Sequence, residues 1–412
     1  MTDATDSPAE APPHEAAPAA RPTVRTLPSR HKRAAQGHPW VYSNEIHMDQ
    51  AAKAIAPGTV VRVLTEAGAS LGTATFNPHT LIACRLLDRS PETPVDRAFL
   101  AGRLRRALAL RERLFDRPYY RLVHAEADGL PALVVDRFGD AVVVQANSAG
   151  MDRLEGELLA ALDEVLAPSV VVLRNDSSAR GLEGLARETR VARGSLDGPL
   201  RVEENGAVFF ADPAGGQKTG WFYDQRRNRA FVADLSGGAR VLDVYSYQGG
   251  FGVLAAARGA REVVLVDRSE AALGNAARAA EANGVAARCA FRRAEAFAEL
   301  ERMAAEGERY DVVVADPPAF VKSKKDLQAG ARGYRKLTRL AAAAVAPGGV
   351  LFVASCSHNM ETGAFAEQVA AGLRDAGRTG RILRSSGAAS DHPVHPFLPE
   401  SAYLKAQVLQ LD

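Results

Sequence analysis

The chain reads as an α/β protein whose C-terminal half builds a mostly parallel sheet with helices on both faces, preceded by a small β-rich module and a central α/β unit. Three observations lead to this class. From Arg240 onward the apolar runs ARVLDVYS, EVVLVD, YDVVVADPP and GGVLFVASCS alternate with helical stretches, a pattern that implies parallel strands joined by helical crossovers. At 412 residues the chain exceeds what one hydrophobic core usually organises. Near its start, 60–64, 71–76 and 81–87 read as short strands, the first two separated by Glu66-Ala67-Gly68.

Taken in order, residues 1–22 read as a disordered tail: the first twenty are acidic and rich in Ala and Pro, with neither the basic start nor the apolar core of a secretory signal. The β-rich module is placed at 23–88. Its opening, RHKRAAQGHPWVYSNEI (30–46), sets basic residues beside Trp40 and Tyr42, which suits RNA and equally a buried aromatic. The central unit is placed at 89–195. Between Arg85 and Arg121 ten Arg stand against five acidic residues, a surplus able to track phosphates. Leu100, Leu104, Ala107 and Leu108 nevertheless recur at helical spacing, so a solvated amphipathic helix with Arg on its outer face is the simpler reading. LPALVVDRFGDAVVVQ (130–145) is a hairpin turning at 137–140, 151–166 is a helix with a Leu stripe, and 170–173 is a strand. The last domain, 196–412, opens on a second hairpin signal, Asn205-Gly206.

Composition excludes several classes. Hydrophobic residues at 47% and charged residues at 24% are those of a globular protein, and no run reaches the roughly 18 apolar residues that a bilayer span requires. Cys84, Cys289 and Cys356 lie far apart and outside any Cys/His cluster, arguing against a disulfide framework and a structural metal. A reducing, cytoplasmic setting is therefore expected.

In parallel sheets of this kind ligands sit at the carboxyl ends of the strands, so Asp243, Asp267, Asp316 and Cys356 are expected to converge on one crevice. Gly249, Gly250 and Gly252 follow the first strand and let the backbone approach a nucleoside; Asp267, eighteen residues beyond Gly249, can accept ribose hydroxyls. Gly250-Phe251-Gly252-Val253-Leu254-Ala255 also satisfies the fingerprint of nicotinamide dinucleotide enzymes, which keeps an oxidoreductase in view. Against it stands DPPAF (316–320). Pro317 and Pro318 stiffen the loop and offer no N–H, and Phe320 can stack on a flipped base. Cys356 ends the next strand between Ser355 and Ser357. A thiolate there can add to carbon 6 of a pyrimidine and make carbon 5 nucleophilic, while Asp316 bonds nitrogen 3. Two flanking segments fit such a site. Residues 217–229 mix Lys218, Asp224, Gln225 and Arg226 with aromatics, and 321–336 carry Lys322, Lys324, Lys325, Arg332, Arg335 and Lys336 where an RNA backbone would pass.

The segments HPWVYSNEI, DGLPALVVDRFGD, KTGWFYDQR, SYQGGF, DPPAF, RGYRKL, SCS and DHP…YLK together resemble, in order and over nearly everything after the tail, the bacterial 23S ribosomal RNA 5-cytosine methyltransferases with an N-terminal PUA domain, large-subunit methyltransferase I. The resemblance implies a PUA β-barrel, a central α/β domain and a Rossmann-like class I methyltransferase domain. It further implies S-adenosylmethionine as cofactor, 23S ribosomal RNA, naked or in an assembling subunit, as partner, and Cys356 with Asp316 as the catalytic pair. The cofactor set it implies comprises Lys218, Thr219, Gly220, Asp224, Gln225 and Arg226 before the first strand. It continues with Asp243, Tyr245, Ser246 and Gly249 on that strand and its turn, and with Asp267, Glu295 and Asp316 on the later ones. Ala319 follows Pro318, so the second cysteine of two-cysteine RNA cytosine methyltransferases is absent. The rival readings are amino-group methylation of a purine, which needs no thiolate, and a non-catalytic RNA-binding assembly factor. A homodimer is compatible with the sequence.

Overall fold

A computed structural model describes residues 21–412. The expected tail therefore falls outside the described residues except for its last two. Of these, Arg21 donates to Thr73 Oγ1 and to the carbonyls of Pro91 and Thr93, and the Pro22 carbonyl accepts from the Arg62 amide.

The N-terminal module is a five-stranded sheet in the order Thr23–Arg25, Thr59–Leu64, Ser70–Phe76, Ile82–Asp88, Trp40–Tyr42, closed over its own core of Val41, Val61, Val63, Phe76 and Cys84. A second five-stranded sheet follows, with the order Glu188–Arg193, Val170–Asn175, Ala141–Ala146, Leu133–Phe138, Tyr119–His124. Only the pair Ala141–Ala146 and Val170–Asn175 is parallel. The Arg-rich helix Arg97–Leu114, capped by Asp96 through the Phe99 amide, lays Leu100, Leu104 and Ala107 on this sheet. The helix expected at 151–166 is two pieces, Ala149–Arg153 and Glu155–Leu166, because Leu154 leaves the helical region at φ −92°, ψ 9°.

One member of the Arg block departs from the outer-face expectation. Arg111 is fully buried, paired with Asp128 and donating to the carbonyls of Arg121 and Asp391. Arg85, Arg103 and Arg121 are likewise held in ion pairs away from the outer face, and Arg97, Arg105 and Arg117 pair at the surface, so seven of the ten cations are engaged.

After the hairpin Leu200–Glu204 and Ala207–Ala211, with Asn205 and Gly206 both left-handed at its turn, comes the large sheet. Its strands are β1 (Arg240–Val244), β2 (Glu262–Asp267), β3 (Cys289–Arg293), β4 (Tyr310–Ala315), β5 (Val345–Ser355), β6 (Gly380–Ser386) and β7 (Lys405–Leu411). The helices are α1 (Arg226–Asp234), α2 (Gly250–Ala257), α3 (Glu270–Ala282), α4 (Ala296–Glu306), α5 (Leu327–Ala344) and α6 (Thr362–Asp375). The order is β3-β2-β1-β4-β5-β7-β6, with the first five strands parallel and β7 antiparallel to both neighbours. Alternate residues feed two cores: Val241, Val263, Val312 and Phe352 on one face, Leu242, Val264, Val313 and Leu351 on the other. Strand order reverses between β1 and β4, which opens a crevice at their carboxyl ends.

Replacing Arg111 by Ala strands Asp128, whose side chain is only 6% exposed, without its counter-ion. Denaturant unfolding of Arg111→Ala is expected to show a loss of about 3–5 kcal/mol.

Candidate active site

β1 ends in a strained turn. Tyr245 and Tyr247 are left-handed at φ 61° and 49°, as is Gly249 at 78°, and the turn delivers the chain into α2. Non-glycine residues in this region cost roughly 1–2 kcal/mol each, and here other contacts hold them. The Tyr247 amide donates to Asp267 Oδ2 at 2.9 Å, and its hydroxyl accepts from the Gln217 amide at 2.9 Å. Asp267, at the end of β2, also takes the Ser269 amide on Oδ1 at 2.8 Å, so its carboxylate is locked in place.

Across the crevice, Gln225 donates to Asp316 Oδ2 at 2.9 Å, and Tyr403 donates to Asp224 Oδ2. Burial, reinforced by the charge of Asp224, pushes Asp316 up to about 7. Burial acts upward on Asp224 too, but His392, Lys218 and the Tyr403 hydroxyl together hold it below the usual carboxylate range. Cys356 follows β5, its Sγ 4.0 Å from the Pro317 carbonyl. Burial raises its thiol; Lys218 opposes that rise, and Asp316 and Asp224 add to it.

These groups surround one cavity of about 530 Å³. Lys218, Asp224, Gln225, Tyr245, Ser246, Asp267, Glu295, Asp316 and Cys356 line it, with Phe320 at one wall. Asp224 Oδ1 and Ser246 Oγ are buried without a hydrogen-bond partner. Two orphaned acceptors, a fixed carboxylate at Asp267 and the cations Lys218 and Arg229 in one cavity suit a zwitterionic nucleoside of S-adenosylmethionine's size.

Comparison with known proteins agrees. Residues 189–380 match the S-adenosylmethionine-dependent methyltransferase model, and residues 24–89 match a PUA-like domain. The ribosomal RNA large subunit methyltransferase I of Aeromonas hydrophila is 38% identical over 394 residues, 94% of this chain and 99% of that one. The chain belongs to the ribosomal RNA large subunit methyltransferase I family. The protein of the same name from Shewanella denitrificans is 35% identical over 94% of this chain and 99% of its own. In fold, a methyltransferase crystallised with SAH superposes with a TM-score of 0.80 at 21% identity, over 95% of this chain and 99% of that one. An S-adenosylmethionine-dependent methyltransferase from Streptococcus mutans gives 0.79 at 20%, over 94% and 100%.

This member of the methyltransferase I family is thus an S-adenosylmethionine-dependent methyltransferase. Five residues of the expected cofactor set do not line its cavity. Thr219 turns away and donates to Asp136 Oδ2, while Gly220, at φ +100°, packs on the backbone of Asp212 and Pro213. Arg226 donates to the Tyr119 carbonyl and covers the Phe115 ring at 4.5 Å. Asp243 takes the Gly252 amide at 2.8 Å from behind the crevice, and Gly249 is enclosed by Val253 and Ala276. Gly252 likewise serves packing, since a Cβ there would strike Leu265, whereas Gly250 lines the cavity and has Arg229 close behind it.

Sequence reasoning missed Arg229, Phe297, His358 and Tyr403, all of which line the cavity. Arg229 was reachable: it lies one helical turn beyond Gln225 on the same face. Tyr403 and His358, whose rings stack at 5.1 Å, come together from distant segments.

The burial of Thr219 separates its role from that of its neighbour Lys218. Thr219→Val is expected to lower stability by about 1–3 kcal/mol in thermal or denaturant unfolding, since the bond to buried Asp136 is lost. Calorimetric affinity for S-adenosylmethionine should stay close to that of the wild type.

Proposed function

We propose that the protein methylates carbon 5 of a cytosine in 23S ribosomal RNA, in the cytoplasm, through a covalent adduct of Cys356. The observation that carries this reading is the meeting of a thiol, a carboxyl poised near neutrality and a ribose-type acid in one cavity. The name shared by relatives that match 94% of the chain supports ribosomal RNA as the substrate. Outside the cavity Lys322, Lys324, Lys325 and Arg332 are exposed beside Phe320, a basic rim on which phosphates can rest. Arg335 and Lys336 are exposed as well, but each is held in an ion pair, with Asp375 and Glu301.

Asp267 would hold the ribose of the cofactor, Asp224 its ammonium, Lys218 its carboxylate, and Glu295 with Phe297 its adenine, while Arg229, paired with Glu204, backs the cavity. S-adenosylmethionine, when bound, supplies an electrophilic methyl group. The protein's own groups prepare the base to take it. Cys356 Sγ bonds carbon 6, Asp316 gives a proton to nitrogen 3, and the displaced π electrons make carbon 5 enamine-like. Once carbon 5 carries the methyl group, its proton passes to a water molecule entering the open cavity, the Sγ–C6 bond breaks to restore the double bond, and nitrogen 3 returns its proton to Asp316. The thiolate leaves as it arrived.

Cys356→Ala is expected to keep fold and cofactor affinity and to lose methyl transfer by several orders of magnitude, with Cys84→Ala and Cys289→Ala active. RNA bearing 5-azacytosine at the target should form a complex with the wild type that survives denaturing electrophoresis, and none with Cys356→Ala. Full activity of Cys356→Ala overturns the cytosine assignment and leaves methyl transfer standing.

The pH profile follows from the same pair. The active form has Asp316 protonated and Cys356 ionised, and carries one proton between them. Below pH about 7 a second proton quenches the thiolate, so log kcat/KM should climb with pH; above it the profile should level until the raised thiol itself titrates. A profile that keeps climbing through pH 8 removes Asp316 from the chemistry.

A further inference from the structure

The hydrogen bonds that reach Asp316 have a direction, and it runs through four residues. Ser386 Oγ donates to Asn228 Oδ1 at 2.7 Å, Asn228 Nδ2 donates to Gln225 Oε1 at 2.7 Å, and Gln225 Nε2 donates to Asp316 Oδ2 at 2.9 Å. The line begins on the edge strand β6, crosses the start of α1 and ends beyond β4. Asn228 and Gln225 are buried, at 1% and 3% exposure, so neither amide can turn over alone without setting like against like, and an ionised Asp316 accepts only the orientation in which Gln225 donates. Among the described residues no hydrogen bond reaches the other oxygen, Oδ1, of Asp316, a residue that lines the cavity.

A carboxyl whose Oδ2 already accepts an amide N–H carries its proton on Oδ1. Cytosine and uracil share a shape and a C5–C6 double bond but differ at nitrogen 3, which is an acceptor in cytosine and an N–H donor in uracil. A protonated Oδ1 therefore bonds cytosine and meets uracil donor to donor. We propose that Ser386, Asn228 and Gln225 are positioning residues that keep the Asp316 proton on the oxygen facing the base and thereby select cytosine over uracil. The inference rests on the reading of Cys356 as the nucleophile toward a pyrimidine. The proton is available because burial and the neighbouring Asp224 keep Asp316 neutral up to pH about 7. Selectivity arises this way because rejecting an isostere by binding alone requires a polar group that it leaves mismatched.

The test is single-turnover methylation by the full chain of two ribosomal RNA fragments, one with the mapped target cytosine and one with uracil in its place. Asn228→Asp reverses the line: a carboxylate only accepts, so Gln225 turns to donate to it and presents Oε1 to Asp316. The Asp316 proton then moves to Oδ2, and Oδ1 becomes an acceptor that suits uracil. The cytosine-to-uracil ratio of kcat/KM is expected to fall at least about tenfold. Ser386→Ala, on a half-buried position of an edge strand, should lower the same ratio by about threefold and decides the matter alone if Asn228→Asp does not fold. Equal losses on both fragments, the signature of a merely structural role, overturn the proposal and leave the cytosine reading intact. A wild type that makes no 5-methylcytosine in the first fragment overturns that reading, and the inference with it.

Discussion

Burial of negative charge at the carboxyl end of the sheet is the constraint around which this domain is arranged. Asp224 and Asp243 are buried and Asp316 half-buried around the crevice, and an isolated carboxylate there would be expensive. Each is met differently. Asp243, pushed up to about 8 by burial, accepts the Gly252 amide and so ties β1 to α2. Asp224 leans on Tyr403, His392 and Lys218 and stays ionised. Asp316 has one amide from Gln225 and the unfavourable charge of Asp224, and of the two acids pushed toward neutrality it is the one that lines the cavity. The difference in compensation fits the proposed division of the acids into one for structure, one for charge and one for proton transfer.

The compensation reaches into the central domain. Arg121 grips Asp136 with two hydrogen bonds, at 2.8 and 2.9 Å, and Asp136 in turn accepts Thr219, the residue after Lys218. The Arg121 amide donates to Asp391, whose other carboxylate oxygen meets His392, one of the groups that keep Asp224 charged. The Ala389 amide donates to the Asp224 carbonyl. Two ion pairs from the central domain, Arg111–Asp128 and Arg121–Asp136, thus hold the segment that backs the crevice. Such pairs add little net stability compared with apolar packing, but a misplaced partner is costly, and that enforces one docking geometry. The catalytic crevice is consequently a product of two domains and not of the methyltransferase sheet alone.

This explains what could be read from the sequence. Parallel strands buried on both faces are continuous apolar runs, so β1, β2, β4 and β5 were legible, and with them Asp267, Asp316 and Cys356 at their ends. Strand β3, CAFRR, lies at the sheet edge half-exposed and carries two Arg, so no apolar run marks it. The segment 217–229 was legible in content but not in direction. Lys218 and Gly220 both have positive φ, and this turns successive side chains to opposite sides: Lys218 to the cavity, Thr219 to Asp136. A further turn at Tyr223–Gln225 then sends Gln225 inward and Arg226 toward Tyr119. Adjacency in sequence cannot encode such reversals, and contacts such as Tyr403 to Asp224 span 179 residues.

Cys356, the proposed nucleophile, illustrates how rigidity can replace acidity. Cys356 is not an activated thiol, since its burial raises it and the nearby acids raise it further. What the fold supplies is position. Ser357 Oγ is fixed by the Tyr334 hydroxyl at 2.8 Å and the Val321 amide at 3.1 Å, the Ser357 carbonyl takes Lys405 Nζ at 2.8 Å, and the Ser357 amide donates back to Ser355 Oγ. Both neighbours of Cys356 are therefore pinned to β7, α5 and the loop after DPPAF, and its own side chain is the one of the three that faces the cavity. A thiol of high pKa yields a more nucleophilic sulfur once ionised, and an immobile one loses little entropy in reaching the base. In the proposed mechanism the proton it loses has a counterpart in the proton that Asp316 gains, so the pair conserves charge where an uncompensated buried charge is costly.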